Sequence, residues 1–338
     1  MDHAAEVVIG CLDRIAAGAR PLVVDEETGA LAAELHSQGT SPLVWQRRAT
    51  RPGLGTPWPA GDGATSAFVR LPKAKDALDL ALHAAASLLQ PGAPMVLFGA
   101  NDEGIRSANA HLASVTEAVA TLDARRHCRV LAGNRAAHIA QLKASLDAWQ
   151  RTAQLQIGGK LHDWVSYPGV FAHGGLDAGT AMLIAHMPAI PRTARVLDFA
   201  AGAGVLSAAV LDRTPSALVD MLEIDTIALE AARRNVPAAR PVAGCALSDA
   251  PASRYDLIIS NPPIHDGVSE DHAVLRALIA EAPERLSGGG HLLLVVQRRL
   301  PAQAWVVETF EACTVLAEDG RFRVLTAQRP ESQRQHRR

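Results

Sequence analysis

The chain has 338 residues, a length that predicts about two domains, each large enough for its own core. Apolar residues make up 48% and charged residues 20%, the balance of a globular chain, and a net charge of −2 with only 4% aromatics excludes a basic nucleic-acid coat or an extended stacking platform. Arginine clusters at 46–51, 124–129, 232–240, 297–299 and in the last residues still leave room for a local basic patch.

In chain order, the first stretch, "MDHAAEVVIGCLDRIAAGAR", is mixed and acidic early, unlike a signal peptide. "PLVVDEETG" (21–29), "APMVLFGANDEGIRSANAHL" (93–112) and "HCRVLAG" (127–133) read as strands followed by turns or helices, and 74–89 as an Ala/Leu-rich amphipathic helix. Polarity and glycine rise at 151–164, where a join between domains is expected. The second half alternates more clearly. Strands are predicted at 194–199, 217–225, 255–261 and 291–297, with helices at 205–213, 227–235 and 273–286. The last of these helices is expected to be capped by "SGGG", and one more helix and one or two strands close the chain. Near-continuous apolar strands alternating with helices predict an α/β fold with a mostly parallel sheet covered on both faces. "VLFGANDEGIRSA" shares the strand–turn–helix outline of "VLDFAAGAGVLSA", which suggests an internal duplication whose first copy has lost an acid and part of a glycine pattern.

Cys11, Cys128, Cys245 and Cys313 lie far apart without a CxxC pair, as in a reduced cytoplasm, and the histidines show no metal-ligand spacing. No apolar run is long enough to predict a membrane span.

Three strand ends carry the chemistry. Asp198 is followed by Gly202 and Gly204, which allow close backbone approach to a ligand. The D-x-x-x-G-x-G spacing differs from the G-x-G-x-x-G of nicotinamide enzymes and leans toward a ligand without pyrophosphate. The next strand ends in "LEID", where Glu223, or Asp225 as the alternative, is placed to accept hydrogen bonds from a ribose diol. The third ends on Asn261-Pro262-Pro263, and two prolines stop the strand and stiffen the loop that carries the Asn261 amide.

Together these residues resemble the class I S-adenosylmethionine-dependent methyltransferases, the 198–204 loop (with Ala200) looking like the first motif, Glu223 like the ribose acid, and Asn261 to Ile264 like the Asn-Pro-Pro-aromatic motif of amino-methyltransferases. "YPGVFAHGGLDAGTAML" (167–183), "SNPPIHDG" (260–267), "GRFRV" (320–324) and "GANDEGIRSA" (99–108) narrow the resemblance to the bacterial 16S ribosomal RNA guanine-N2 methyltransferases, the small-subunit methyltransferase C family, over roughly residues 70 to 328. The resemblance implies two tandem Rossmann-like domains. A degenerate one at 1–155 positions RNA and supports folding, and a catalytic one at 156–338 has a mostly parallel seven-stranded sheet. It also implies S-adenosyl-L-methionine as cofactor and 16S rRNA or the 30S subunit as partner; a cytoplasmic location, no metal and a monomer are further expectations.

The sequence departs from the family where Ile264 replaces the aromatic that stacks on the base, a contact worth roughly 1–3 kcal/mol, so Phe171 or Phe322 is a candidate substitute. The residue meeting adenine stays open among Cys245, Ala246 and Asp249. His265 and Asp266 are read as positioning or hydrogen-bonding residues near the substrate, with proton transfer as the alternative. Asp177 and Gly179 are expected either to shape the pocket for the methionine end of the cofactor or, for Asp177, to cap a helix. In the first half, Asn101, Arg106, Ser107 and the arginine-rich 124–129 segment are candidates for RNA positioning. Competing readings are an amino-methyltransferase acting on another nucleic acid or on a protein glutamine, and a ribosome-assembly factor without turnover.

Overall fold

The computed structural model describes residues 2–51, 53–263 and 269–330. The chain divides into two compact units, Met1–Arg48 with Leu54–Gln150, and Ala49–Gly53 with Arg151–Arg338. The sequence-based boundary at 155/156 falls inside a hairpin strand, and the units divide just before that strand begins.

In the first unit the described residues form a six-stranded sheet of β1 (Pro21–Val24), β2 (Leu43–Trp45), β3 (Ser66–Arg70), β4 (Pro94–Ala100), β5 (Thr116–Arg125) and β6 (Cys128–Arg135), in the order β2-β1-β3-β4-β6-β5. The first four are parallel; β6 and β5 are antiparallel. Helices α1 (His3–Ile9), α2 (Ala30–Ser37), α3 (Lys75–Ser87) and α4 (Asn109–Ala113) accompany the sheet. Val7 and Val8 of α1 and Leu31 and Leu35 of α2 join Val23, Phe68, Val96, Phe98 and Val130 in one core, and each such buried side chain contributes roughly 1.5–3 kcal/mol.

The second unit opens with a hairpin of β7 (Arg151–Ile157) and β8 (Lys160–Ser166), turned by Gly158 and Gly159 at φ 55° and 93°, the left-handed pair a two-residue turn requires. Its main sheet contains β9 (Arg195–Phe199), β10 (Leu218–Glu223), β11 (Arg240–Ala243), β12 (Tyr255–Ser260), β13 (Leu286–Gln297), β14 (Thr314–Glu318) and β15 (Phe322–Gln328), ordered β11-β10-β9-β12-β13-β15-β14. The seven strands and the parallel pairing of β9–β13 agree with the expected fold. Helices α5 (Ala178–Ala185), α6 (Val205–Arg213), α7 (Thr226–Asn235), α8 (Ser269–Arg285) and α9 (Ala302–Phe310) alternate with the strands. Leu275, Leu278 and Ile279 of α8 and Val306 and Phe310 of α9 pack with Ile258, Leu292 and Leu294 in a continuous core.

Two expectations are corrected. "SGGG" does not cap α8: the helix ends at Arg285, and Ser287–Gly290 lie within β13, where the register against β12 slips between Tyr255 and Leu257. The glycines serve a bulge in a strand, and an added Cβ at Gly290 would come within 2.9 Å of the Tyr255 carbonyl. The internal match is also different from the one read in the sequence. Removing β9 from the second sheet leaves the order and strand directions of the first, so β4, with its "GANDEG" turn, corresponds to β13 rather than to β9.

Candidate active site

The carboxyl ends of β9, β10 and β12 lie side by side, the edge at which open α/β sheets bind ligands. After β9, the chain turns through Ala200, Gly202 and Gly204 at φ 59°, 55° and 92°. Gly204 starts α6, and a Cβ there would come within 3.0 Å of Val236 and 3.3 Å of Ala232, so this glycine lets α7 pack closely. A Cβ on Gly202 would meet nothing within 4 Å, so this side of the loop is open to a ligand. Ala200 adopts the left-handed region without a glycine's freedom, at a cost of about 1–2 kcal/mol.

Asp198 is fully buried. Its Oδ2 accepts the Ser207 amide at 3.0 Å and the Ser207 hydroxyl at 2.7 Å, which ties the strand end to α6. Burial pushes its carboxyl up to about 7; the Ser207 bonds oppose that rise and neighbouring Glu223 adds to it. Its other oxygen, Oδ1, is buried without a hydrogen-bond partner among the described residues, an arrangement that costs free energy unless a donor arrives.

Glu223, the last residue of β10, is also buried. Oε2 accepts the Gly202 amide at 2.7 Å and Oε1 the Asp225 amide at 2.9 Å. Burial raises its pKa, and these amides hold the rise in check. The Ile224 amide bonds the carboxylate as well, which still leaves acceptor capacity for a further donor. Asp225 has a different task from the one considered for it: Oδ1 accepts the Ile227 and Ala228 amides and caps α7. Glu223 is the acid of this strand end that does not cap a helix. An unbonded carboxylate oxygen, an open glycine cradle and an acid at the next strand end fit a ligand with a cationic amine and a ribose diol, as S-adenosylmethionine has. Asp249 accepts the Cys245 and Ala246 amides with Oδ2 at 2.9 and 3.0 Å, shaping the turn after β11 where the sequence places the adenine contact.

At the end of β12, the buried Ser260 hydroxyl donates to the Phe199 carbonyl at 2.6 Å and locks this strand end to β9. The Asn261 Nδ2 then donates to Thr180 Oγ1 at 2.8 Å and Asp177 Oδ2 at 3.1 Å. An ionised carboxylate can only accept, so it is the NH2 end of the amide that faces α5, and the amide oxygen is left for another donor. Asp177 is also the cap of α5, accepting the Thr180 amide at 3.1 Å. Of the two expected roles for Asp177, the structure has the helix cap, and the same carboxylate also fixes the motif asparagine. Gly179 is buried between these partners, where a Cβ would come within 3.0 Å of Asp177 Oδ2 and 3.2 Å of the Phe322 ring. Pro262 is buried and Pro263 exposed. Ile264, His265 and Asp266 lie outside the described residues. Phe171 is 59% exposed on a short 3₁₀ turn, and Phe322 is half-buried beside Gly179.

Sequence reasoning missed Thr180 and Ser207, which look like ordinary small helical residues. It also missed the short segment Ala49–Gly53, which belongs to the second unit although it lies deep in the first half of the chain. There the buried Ala49 donates its amide to the Ile224 carbonyl at 2.7 Å, directly after Glu223. In the first unit, Asn101 Oδ1 accepts from Arg106 and Arg129 at 3.3 and 3.2 Å, and the Ser107 hydroxyl donates to the Gly104 carbonyl. These contacts hold a turn together. Among the described residues no group of three or more His, Cys, Asp or Glu is placed to hold a metal ion, and no helix is long and apolar enough to cross a membrane.

The family model for the methyltransferase small domain matches residues 162–326, and its N-terminal companion matches 23–152. Ribosomal RNA small subunit methyltransferase C of Ectopseudomonas mendocina is 37% identical, over 84% of this chain and 85% of the relative. The protein of that name in Stutzerimonas stutzeri is 34% identical over 89% and 90%, and that of Hahella chejuensis 32% identical over 92% and 94%. The T. thermophilus 16S rRNA N2 G1207 methyltransferase, solved in complex with AdoMet and guanosine, superposes with a TM-score of 0.82 at 23% identity, covering 96% of this chain and 92% of that one. That likeness extends the fold agreement to both units.

Proposed function

The chain belongs to the ribosomal RNA small subunit methyltransferase C family, and from that premise we propose that it transfers a methyl group from S-adenosylmethionine to the exocyclic N2 amine of a guanine in 16S rRNA. The observation that carries the chemistry is the Asn261 amide, turned by Thr180 and Asp177 so that its oxygen faces away from α5.

Asp198 and Glu223 would hold the cofactor, Asp198 through its unbonded oxygen to the methionine amine and Glu223 through the ribose hydroxyls, with Gly202 leaving the space between them. Bound there, S-adenosylmethionine supplies an electrophilic methyl group on a sulfonium sulfur. The guanine amine is a poor nucleophile because its lone pair is delocalised into the ring. The Asn261 oxygen and a main-chain carbonyl beside Pro262 accept its two N–H groups, draw the nitrogen toward tetrahedral geometry and stabilise the positive charge that develops on it. Catalysis is then alignment and electrostatics with no covalent intermediate. The charged product nitrogen loses its proton readily to water, so the chemistry requires no dedicated base. Phe171, exposed on its turn, is the proposed stacking partner for the base in the role the family gives to an aromatic at position 264.

For the first unit we propose RNA positioning and support for folding of the second. The protein is taken to work as a monomer in the cytoplasm, on the small subunit or its RNA. The decisive test is transfer of labelled methyl from S-adenosylmethionine to small subunits lacking the modification, with Asn261→Ala as control and nucleoside analysis of the product. Label recovered as N2-methylguanosine and lost in the variant is the expected result. Cofactor binding without transfer to subunits or RNA would point to the assembly-factor reading.

A further inference from the structure

A cleft of about 560 Å³ opens where β13 ends and β15 begins, lined by Gln297, Arg298, Arg299, Gly320, Arg321 and Phe322. The three arginines are exposed. β13 runs parallel to β12, so Gln297 lies at the same sheet edge as Asn261; β15 is antiparallel and pairs Phe322 with Gln297, which brings its first residues to that edge too. Neighbouring strands lie about 4.8 Å apart, so β13 and β15, whose ends line the cleft, lie roughly 5 and 10 Å from the Asn261 strand. Phe322 joins the two places directly, since its ring packs against Gly179, between Asp177 and Thr180.

The chemistry of the cleft is cationic and aromatic. The Arg321 guanidinium lies over the Phe322 ring, 5.1 Å from its centroid, and an arginine on an aromatic ring presents both a charge and a stacking face. Arg299 Nε donates to Gln297 Oε1 at 2.8 Å, which holds its guanidinium along the rim. Arg298 pairs with Glu318 at 3.1 Å while half exposed, and Arg323 pairs with the same carboxylate. Asp319, the other acid of the β14–β15 turn, accepts the Arg321 and Phe322 amides at 2.7 and 2.6 Å, so its Oδ1 is committed to the backbone. Those amides hold its carboxyl below the usual range. Four arginines therefore face two acids here, a local excess of positive charge in a chain whose net charge is −2.

We propose that this cleft is an RNA subsite: Arg298, Arg299 and Arg321 contact phosphates of the strand that carries the target guanine, and Phe322 with Arg321 supports a neighbouring base. The proposal rests on the function proposed above and names the part of the molecule that would grip the substrate next to the reacting amine. A planar guanidinium is suited to phosphate oxygens through paired donors. The subsite lies wholly in the catalytic unit, so substrate recognition would not be left to the first unit alone.

The test uses the full chain and an unmodified 16S rRNA fragment containing the target guanine, with RNA affinity measured at several salt concentrations, separately from turnover and from S-adenosylmethionine affinity. Arg298→Ala with Arg321→Ala is expected to raise the RNA dissociation constant and KM about tenfold and to lower the salt slope by about one to two, with the loss in KM rather than kcat. Arg298→Lys with Arg321→Lys, which keeps the charge, should restore most of the salt slope and part of the affinity. Phe322→Leu should weaken binding several-fold with the slope unchanged. Unaltered RNA affinity and slope in the double Ala variant would overturn the subsite, as would a parallel loss of S-adenosylmethionine affinity, which would mark the arginines as structural. If the wild-type protein binds the RNA with the expected salt dependence yet transfers no methyl, the proposed reaction fails while the subsite stands.

Discussion

The two sheets share one plan and differ where a ligand would sit. Among the described residues the first unit has no counterpart of β9, the strand that carries Asp198 and opens into the glycine loop. At the last paired position of the following strand, Val24 stands where the second unit has Glu223. Leu71-Pro72-Lys73 follows β3 in the place where Asn261-Pro262-Pro263 follows β12, and Leu71 is buried. An acid does remain after β1, but the buried Glu26 accepts the Thr28 and Leu31 amides at the start of α2, a helix-capping task like that of Asp225. A sheet keeps its hydrophobic core after losing a strand because the remaining neighbours close up and pair, as β1 does with β3. The proposed site for cofactor and substrate would not survive the loss, because its groups come from three adjacent strand ends at once.

The comparison predicts which exchanges matter. Asn261→Leu, which gives the second unit the residue of the first, should lower kcat by about a thousandfold while S-adenosylmethionine affinity stays near wild type; calorimetry beside single-turnover rates checks both halves. Asp198 should contribute to the pH dependence of ligand-free stability. Its folded pKa is raised to about 7, so its contribution is fully present below the unfolded value near 4 and is lost as pH rises through about 7. Asp198→Asn should therefore melt several degrees above wild type at pH 8, with the gap narrowing toward pH 4 in thermal scans at the two pH values. Thr180→Val removes one acceptor from the Asn261 amide and should reduce kcat about tenfold, and Thr180→Ser should recover it; a fall in cofactor affinity of the same size would mean that α5 had moved instead.

Smaller effects probe the first unit and the loop. Arg125 and Arg126 sit at the β5–β6 turn, paired with Asp123 and Glu6. Replacing both with Ala should weaken RNA binding about fivefold and flatten its salt dependence, as read by filter binding. Ala200→Gly should stabilise the protein by about 0.5–1 kcal/mol in denaturant titration, because glycine relieves the left-handed strain and gives back part of the gain as unfolded-state entropy.

Much of the site was legible because its signals act over a few residues. Glycines after a strand, an acid at a strand end and two prolines after an asparagine restrict the backbone whatever surrounds them. Strand–helix alternation in the second half was equally plain, since each apolar run must be buried on both faces of a parallel sheet. The first half read less clearly for the same reason: without β9 it lacks the loop that anchors the reading, and the resemblance of "GANDEG" to a glycine loop paired the wrong strands. Local reading also failed at "SGGG", where the same glycines serve a cap or a bulge and only the neighbouring strand decides.

By itself, then, the sequence determined the α/β class and marked the three strand ends to which the chemistry is assigned, through periodicity and local backbone restriction, and its motifs pointed to the family. Tertiary structure decided how those groups are aimed. Asn261 takes its orientation from Asp177 and Thr180, 84 and 81 residues earlier, and Asp198 is tied to Ser207 on the following helix while Asp225 is drawn into a cap. It also decided that Arg298 and Arg321 share a cleft with Phe322 beside Gly179. Hydrogen bonds and charge clusters of this kind join residues that have no relation along the chain, and they exist only once packing has brought their elements together.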